Sequence, residues 1–258
     1  MFTPNPANPE LLVTIPVHNE RWRIADTVTS LQNSLPTVGI PYRISISEDG
    51  STDGTPIVLR DLQRDFPELI TSSDPEKRGR GYALRTLWNS VRADIYAFTD
   101  ADLAAGPEAL AQVIEAVRNG ADVATGSRYK PGAHLSRPPL RSFVSRVYNW
   151  LVRNSFQDGI FDHQCGVKAF SRSALETLLP LSKEDSWFWD TEILVLAKKA
   201  GFRVEEIPVT WSERKHKFTS IRRLISDVYL HGTGFIRLAG RVSREEVPAF
   251  RNFQPAAD

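Results

Sequence analysis

Apolar and polar residues alternate along the first half of the chain with two different periods. Short runs of aliphatic and β-branched residues, typical of buried strands, are separated by stretches in which apolar residues recur every three or four positions, as on one face of a helix. The predicted strands are Leu11–Val17, Tyr42–Ser47, Leu69–Ser72, Ile95–Thr99 and Val123–Gly126. The predicted helices between them are Ile24–Leu35, Thr55–Phe66, Tyr82–Val91 and Pro107–Asn119. This alternation predicts an α/β fold with a Rossmann-like, mostly parallel sheet flanked by helices.

The second half of the chain has a less regular pattern. It predicts a basic, aromatic helix, a strand and a second helix, over Leu140–Phe156, Val167–Phe170 and Thr191–Ala200. Val204–Trp211 has the composition of a strand, but Pro208 places it at a sheet edge or bends it. The stretch Phe218–Val242 has a helical period, and we expect Gly232 and Gly234 to weaken or break that helix.

These patterns predict one large domain with a C-terminal appendage, since the chain shows neither an internal repeat nor a low-complexity linker. The predicted organisation is an N-terminal tail over 1–10, a single domain over 11–217, a basic amphipathic helical extension over 218–246 and a flexible tail over 247–258.

Composition narrows the class of protein. The formal net charge is +1 and 41 % of residues are hydrophobic, which is ordinary for a globular domain and disfavours a general nucleic-acid binder. We expect no secretion signal in the polar stretch 1–9, and no apolar run is long enough to span a bilayer. Cys165 is the single cysteine, so an internal disulfide is excluded, and we expect a small buried thiol rather than a nucleophile.

Polar clusters follow three of the predicted strands. His18–Glu20 follows the first strand, Glu48–Gly54 follows the second, and Asp100-Ala101-Asp102 follows Ile95–Thr99. Because ligands bind at the carboxyl ends of strands in open α/β sheets, we expect the clusters to converge. Two carboxylates one residue apart suit Mg²⁺ or Mn²⁺, which complete their coordination with water and phosphate oxygens. The pattern therefore predicts a divalent metal beside a diphosphate ligand.

Two other nucleotide-binding classes fit the sequence poorly. A dinucleotide-dependent dehydrogenase needs Gly-x-Gly-x-x-Gly directly after its first strand, whereas Gly79-Arg80-Gly81 supplies two glycines far from that strand. The phosphate-binding loop of an NTPase is also missing from the sequence.

Six motifs in one order carry a family resemblance. They are Ile15–Glu20, Glu48–Thr55, Asp100–Leu103, Gly126–Tyr129, Asp162–Lys168 and Trp189–Glu192. Together they resemble family 2 glycosyltransferases of the GT-A fold, specifically the polyprenyl-phosphate hexose synthases, which include dolichyl-phosphate mannose and dolichyl-phosphate glucose synthases. The resemblance runs from about Leu11 to about Ser220, most of the chain.

The resemblance implies a role for each matched residue. The nucleotide pocket would be lined by Pro16, Asn19, Glu20, Glu48 and Asp49. The metal and the diphosphate would be approached by Asp100 and Asp102, with Asp102 among the catalytic residues. Phosphate groups of donor or acceptor would be bound by Arg128 and Arg141. The sugar and acceptor side would be shaped by Gln164, Lys168, Asp190 and Glu192, with Asp190 orienting the acceptor or acting as a base.

The chain departs from the family pattern at three positions. The second motif begins with Glu48 where aspartate is usual, which weakens the nucleotide assignment slightly. Ala104 replaces a polar residue that often helps the metal, so we expect water there. Thr219–Ile221 replaces the usual Gly-Ser-Lys, which leaves one phosphate contact in doubt.

Basic residues accumulate in the second half of the chain. The stretch 127–157 carries arginines and Lys130 but no acidic residue, and arginine matches phosphate by paired hydrogen bonds. The stretch 212–244 interleaves basic and apolar residues, as expected for a helix on an anionic lipid surface. The alternative is a C-terminal helix that packs on the domain and keeps a solvated basic face.

Three functional hypotheses follow. The first is inverting, metal-dependent transfer of one hexose from GDP-mannose or UDP-glucose to a polyprenyl or dolichyl phosphate, by an enzyme peripheral on the cytoplasmic face of a membrane, with or without an anchoring subunit. The second is a soluble glycosyltransferase that acts on a saccharide or small-molecule hydroxyl, with Asp190 as base. The third, a non-catalytic subunit that binds a nucleotide sugar, is disfavoured by the intact acidic triplet. None of them involves nucleic acid.

Overall fold

Seven strands form one mixed sheet, in the spatial order Ile70–Asp74 (β3), Tyr42–Asp49 (β2), Leu11–Val17 (β1), Ile95–Thr99 (β4), Val167–Ser171 (β7), Val123–Ser127 (β5) and Val204–Pro208 (β8). The computed structural model describes the backbone of residues 9–212 and 221–244 and the side chains of residues 9–212 and 229–244. A second, small sheet pairs β6 (His134–Ser136) with β9 (Thr210–Ser212). Only β7 runs antiparallel to its neighbours in the large sheet. The predicted mostly parallel sheet is confirmed.

Eight α-helices lie in the described part of the chain. They are α1 (Ile24–Ser34), α2 (Thr55–Asp65), α3 (Arg80–Ser90), α4 (Gly106–Arg118), α5 (Pro139–Phe156), α6 (Arg172–Leu181), α7 (Trp189–Lys199) and α8 (Ile221–Ser243). Sequence reasoning missed α6, which directly follows β7 and ends just after Pro180. None of the described helices is both long enough and apolar enough to cross a membrane.

The sheet separates two hydrophobic layers. Leu11, Val13 and Ile15 of β1 pack with α1, α2 and α4, whereas Leu12 packs with α3, α6 and α7. This division follows from the period of two along a strand. In the second layer the Trp88 ring lies 5.7 to 5.9 Å from the rings of its neighbours on β7 and α7, and its Nε1 donates to a β1 threonine hydroxyl.

A third cluster joins α5 and α8 at one side of the domain. Val152 and Phe156 of α5 pack with Phe188 and with Leu238 of α8. The rings of Phe156 and Phe235 lie 5.4 Å apart. This cluster fixes α5 by one face and leaves its opposite face outside the core.

The expectation that glycines break the C-terminal helix was wrong. Helix α8 is continuous from Ile221 to Ser243. A Cβ at Gly234 would lie 2.4 Å from the Phe188 ring, so this glycine allows the helix to approach the domain closely. Arg237 adds a paired hydrogen bond to Glu184, with both distances 2.7 Å. Packing and ion pairing outweigh the cost of about 1 kcal/mol for each helical glycine.

The sequence left two alternatives for the basic C-terminal stretch, a helix on a lipid surface or a helix packed on the domain. The described side chains of α8 distinguish between them. Leu238 is buried and Phe235 partly buried against α5, while Tyr229 and Ile236 are exposed. This part of α8 is therefore a helix packed on the domain. The predicted tails, the 217/218 boundary and the Thr219–Ser220 departure lie outside the described residues.

The prediction for Val204–Trp211 is confirmed. The segment is split into β8 and β9 around Val209, and β8 forms an edge of the large sheet. Proline at the end of an edge strand breaks no ladder within the sheet.

Candidate functional site

The three polar clusters meet at the carboxyl edge of the sheet. Strands β1 and β2 end together, because Val17 pairs with Glu48, and β4 lies on the other side of β1. The His18 ring donates from Nδ1 to the Asp49 carbonyl at 2.7 Å, and Thr27 of α1 donates to the Ala101 carbonyl at 2.6 Å. The predicted convergence of the clusters is confirmed.

Side-chain hydrogen bonds hold the loop after β1 against the loop after β2. Asn19 has a left-handed backbone with φ of +58°. Its side-chain Oδ1 accepts from the Thr52 backbone amide at 2.8 Å, and its backbone amide donates to the Ser51 hydroxyl at 2.9 Å. Pro16 lies at the end of β1 opposite Ser47. The two loops therefore form one wall of the site.

The carboxylates of this wall position loops as well as line the edge. Asp49 accepts hydrogen bonds from the amides of Arg78 and Gly79, which fixes the start of α3. Glu48 accepts from an amide of its own turn, and Glu20 pairs with Arg23 at 2.7 Å. Whether these groups also contact a nucleotide stays a prediction.

The acidic triplet forms a tight turn directly after β4. The Asp100 amide donates to the Gly166 carbonyl at 2.9 Å, and Leu103 takes a left-handed φ of +46°. Asp102 accepts from the Ala104 amide at 3.2 Å and is partly exposed. Both carboxylates thus project from a turn that the backbone holds rigidly.

Arg80 is a member of the site that sequence reasoning missed. Its guanidinium donates from Nη1 to Asp190 at 2.8 Å and from Nη2 to Asp100. The Arg80 side chain is 5 % exposed, and its guanidinium carbon lies 3.7 Å from the centroid of the Trp187 ring. Arg80 therefore connects the acidic turn to helix α7.

Asp190 lies in a buried network of charges. Its second oxygen accepts from the Lys168 ammonium at 2.7 Å, and Lys168 also donates to the Cys165 carbonyl. The Asp190 side chain is only 1 % exposed. With one oxygen on Arg80 and the other on Lys168, this carboxylate positions cations.

Negative charge is concentrated around the acidic turn. Burial raises the pKa of Asp100 to about 6; the Arg80 guanidinium opposes the rise, and the carboxylates of Asp102 and Asp190 add to it. Repulsion between nearby carboxylates favours a bound cation at their centre. Among the described residues no group of three or more His, Cys, Asp or Glu side chains surrounds a metal position. A metal held by Asp100 and Asp102 would therefore take its other ligands from water and phosphate, as Mg²⁺ and Mn²⁺ do.

Gly166 makes room for the Asp100 carboxylate. A Cβ at Gly166 would lie 1.9 Å from Asp100 Oδ2, so any larger residue displaces that carboxylate. We expect Gly166→Ala to lower turnover by about a hundredfold while the fold persists, because a displacement of about 1 Å in a reacting site has that effect. Steady-state kinetics and the melting temperature test this.

Gly232→Ala provides the matched control for that substitution. A Cβ there meets nothing within 4 Å, so activity should be unchanged. Equal activity of Gly166→Ala and the wild type would show that the position of Asp100 is unimportant.

A neutral hydrogen-bonded group lies between Asp190 and α5. Gln164 donates to the Thr191 hydroxyl at 2.7 Å, and the Tyr148 hydroxyl lies 2.6 Å from the same oxygen. Burial raises the pKa of Tyr148 above its usual range, although its hydrogen bond to Thr191 opposes the rise. Gln164 is partly exposed and contacts Thr191, the residue that follows Asp190 in the chain.

Arg128 and Glu192 are buried within the fold, as are Lys168 and Asp190. Arg128 is 5 % exposed and binds Asp162 through Nε at 2.7 Å and Nη2 at 2.8 Å. The Glu192 carboxylate is fully buried and accepts from the Ser182 hydroxyl, two amides of the following loop and Arg241. Both side chains are held by buried partners, and their contact with a substrate stays a prediction. Arg141 lies in the first turn of α5 and is partly exposed.

The remaining sequence predictions have clear positions. Cys165 is fully buried, and burial raises the pKa of its thiol to about 12, as expected for an unreactive group. Arg80 had one sequence signal, a basic residue between two glycines. Its hydrogen bond to Asp190 joins residues 110 positions apart, and no local sequence pattern reveals such a contact.

Comparison with known proteins identifies the family. The model of glycosyl transferase family 2 matches residues 12–179, which include β1 to β4 and the acidic turn. The chain belongs to glycosyl transferase family 2. This membership confirms the family inferred from the ordered motifs.

Curated relatives show where this family 2 chain lies within the family. It is 39 % identical to glycosyltransferase AglD of Haloferax volcanii over 213 residues, which are 81 % of this chain but 34 % of AglD. It is 33 % identical to the polyprenol monophosphomannose synthase of Mycolicibacterium smegmatis, over 79 % of this chain and 78 % of that protein. It is 30 % identical to the dolichyl-phosphate beta-glucosyltransferase of Saccharomyces cerevisiae, over 79 % and 67 %. The chain thus spans about a third of the length of AglD.

Solved structures confirm the GT-A fold of this family 2 chain. The mannosyltransferase PcManGT of Pyrobaculum calidifontis, solved with GDP-Man and Mn²⁺, matches with a TM-score of 0.58 at 22 % identity. The match covers 89 % of this chain and 65 % of PcManGT. At this identity the likeness is evidence for the fold.

Proposed function

We propose that this chain transfers one hexose, with inversion, from a nucleotide sugar to a polyprenyl or dolichyl phosphate. The observation that carries the proposal is the acidic turn at the carboxyl edge of the sheet, bound through Arg80 to a buried Asp190–Lys168 pair. Family membership supplies the reaction class, hexosyl transfer from an activated donor. The relatives named for polyprenyl and dolichyl phosphate products supply the acceptor class.

The donor would lie along the edge formed by β1, β2 and β4. Asn19, Glu48 and Asp49 lie at the wall where a nucleotide would bind, and Asp100 and Asp102 at the end where a diphosphate would bind. These two carboxylates would hold Mg²⁺ or Mn²⁺, and the bound metal would neutralise charge on the departing nucleoside diphosphate. Arg80 would hold Asp100 in place at that end of the edge. GDP-mannose and UDP-glucose are the two proposed donors.

The state of Asp190 supports a phosphate acceptor. A general base for a hydroxyl acceptor must reach the proton that it removes, whereas both oxygens of Asp190 are in ion pairs. A phosphate is already an anion at neutral pH and attacks without such a base. In this proposal Lys168 and Arg80 are held by Asp190, while Gln164 lies at the acceptor side and Arg141 at the entrance along α5.

The test is transfer with matched acceptors. The purified chain is incubated with GDP-mannose or UDP-glucose, with Mn²⁺ or Mg²⁺, and with a polyprenyl phosphate or the corresponding free polyprenol. We expect one lipid-linked hexose of inverted anomeric configuration with one donor, only on the phosphate, and no product after chelation of the metal. Transfer to the free alcohol or to a saccharide would overturn the proposal and support the hydroxyl-acceptor alternative.

A further inference from the structure

Trp187 is a large aromatic residue that stays half exposed beside the acidic turn. It is 49 % exposed. The guanidinium carbon of Arg80 lies 3.7 Å from the centroid of its ring, so one face of the ring is covered by a stacked cation. A flat ring with one face covered and half of its surface exposed presents its other face to solvent. We call this other face the outward face of Trp187.

Arg80 connects Trp187 to the reacting end of the site. The guanidinium that stacks on the ring also donates to Asp100 and to Asp190. In the proposed function Asp100 and Asp102 hold the metal and the donor diphosphate, and the hexose of the donor is bonded directly to that diphosphate. Because the ring and the Asp100 carboxylate contact the same guanidinium, the hexose would lie next to the ring.

The loop that carries Trp187 is held closely against the start of α3. A Cβ at Gly79 would lie 2.4 Å from the Asp185 carbonyl oxygen, and a Cβ at Gly81 would lie 2.3 Å from the Glu184 carbonyl oxygen. Both glycines therefore allow the loop between α6 and α7 to contact this helix. A ring presented from a braced loop needs little further ordering when it binds a ligand.

The surroundings of the outward face match a sugar better than a wholly apolar ligand. Arg80, Asp100 and Asp190 form a charged network behind and beside the ring. A hexopyranose has C–H bonds on its faces and hydroxyl groups around its rim. Its face can cover the indole while its rim hydroxyls bind polar groups, which is the usual division of a ligand site into apolar walls and a few polar contacts.

We propose that the outward face of Trp187 packs against the hexose ring of the nucleotide-sugar donor. The inference deepens the proposed function and rests on it for the position of the diphosphate. It adds a substrate-binding residue that recognises the sugar, whereas the carboxylates of the acidic turn recognise the metal and the diphosphate.

The experiment compares the affinity for a nucleotide sugar with the affinity for its nucleoside diphosphate. The wild type and Trp187→Ala are titrated in a calorimeter with UDP-glucose and UDP, and with GDP-mannose and GDP, with Mn²⁺ present and no acceptor. Uncovering roughly 60 Å² of apolar surface corresponds to about tenfold in affinity. We therefore expect Trp187→Ala to bind the sugar-bearing donor about tenfold more weakly and the matching diphosphate as the wild type does.

Two further variants serve as controls. Trp187→Phe keeps an aromatic face and should recover most of the affinity for the donor. Trp150→Ala removes an indole of similar exposure, 57 %, from α5 and should leave both affinities unchanged. The melting temperature of each variant shows whether it is folded.

Two outcomes would overturn the inference. Equal weakening of donor and diphosphate in Trp187→Ala would show that the ring acts through Arg80 and Asp100, as a positioning residue. Unchanged affinity for both ligands would leave the ring as a cover for Arg80 alone.

Transfer assays separate this inference from the proposed function. Selective loss of donor affinity in Trp187→Ala, with no lipid-linked product from the wild type, would keep the hexose contact and remove the proposed acceptor. Transfer to a polyprenyl phosphate with the same KM for the donor in Trp187→Ala and the wild type would keep the proposed function and remove the hexose contact.

Discussion

Transfer should fall by about a thousandfold when Asp102 is replaced by asparagine. The substitution removes one of two carboxylates proposed to hold the metal, and loss of one charge-stabilising group has an effect of this size. Asparagine keeps an oxygen for the Ala104 amide, which is the described hydrogen bond of this side chain. The fold should therefore persist. Kinetics with varied Mn²⁺, and Mn²⁺ binding measured by calorimetry with a nucleoside diphosphate present, would both report the loss.

Glu108→Gln is the matched control for Asp102→Asn. Glu108 lies in the first turn of α4 and is exposed, so the same unit of charge is removed close to the acidic turn. Kinetics and Mn²⁺ affinity should stay within about twofold of the wild type. If Asp102→Asn and Glu108→Gln reduce Mn²⁺ affinity equally, the loss comes from the change in net charge and not from a metal ligand. If neither does, the assignment of Asp102 to a metal fails.

Replacement of Asp190 by alanine should both destabilise the protein and abolish transfer. It leaves Lys168 fully buried, and Arg80 nearly so, without their shared carboxylate. Removal of one partner from a buried ion pair costs about 3–5 kcal/mol. For a domain of this size, that corresponds to a fall in melting temperature of about 10 °C. Thermal unfolding and the transfer assay measure the two effects.

A double variant separates the structural from the catalytic contribution of Asp190. Lys168→Met/Asp190→Leu removes the buried Lys168–Asp190 charge pair and leaves Arg80 paired with Asp100. It should recover much of the stability, because apolar pairs of similar volume often replace ion pairs well. Transfer should remain absent, since the cations of the site are no longer arranged. Full stability of Asp190→Ala would show that the pair contributes nothing to the fold. A stable Asp190→Asn that loses hydroxyl transfer alone would instead mark Asp190 as a base.

The sequence predicts the frame of this site well, because the frame depends on local patterns. Apolar runs locate β1, β2 and β4, and turn residues locate the clusters that follow them. The convergence at one edge then follows from parallel strand pairing alone. The acidic turn could be found in this way because its residues are adjacent in the chain.

The parts that sequence reasoning missed depend on contacts between distant segments. Arg80 meets Asp190 across 110 residues, and Arg128 meets Asp162 across 34. A charged residue in a motif looks the same in the sequence whether it faces a substrate or a buried partner, so the sequence alone does not reveal the buried partners of Arg128 and Glu192. The sequence pattern predicts that Gly234 weakens or breaks α8. Its close approach to Phe188 is a tertiary contact, which the sequence does not show. Helix α6 followed β7 without a turn signal between them.

The reversed direction of β7 has a consequence for how acceptor preference could diversify. Strand β7 runs antiparallel to β4 and β5, so the segment that precedes β7 lies at the carboxyl edge of the sheet. The segment that precedes a parallel strand lies at the opposite edge. The exposed or partly exposed side chains of residues 157–166, Gln164 among them, can therefore differ while the buried residues of the segment and every strand keep their places. In the proposed function, the residues assigned to the donor lie in loops that leave strands, and Gln164, assigned to the acceptor side, lies in a loop that enters a strand. Each loop could then be exchanged in a chimaera independently of the other.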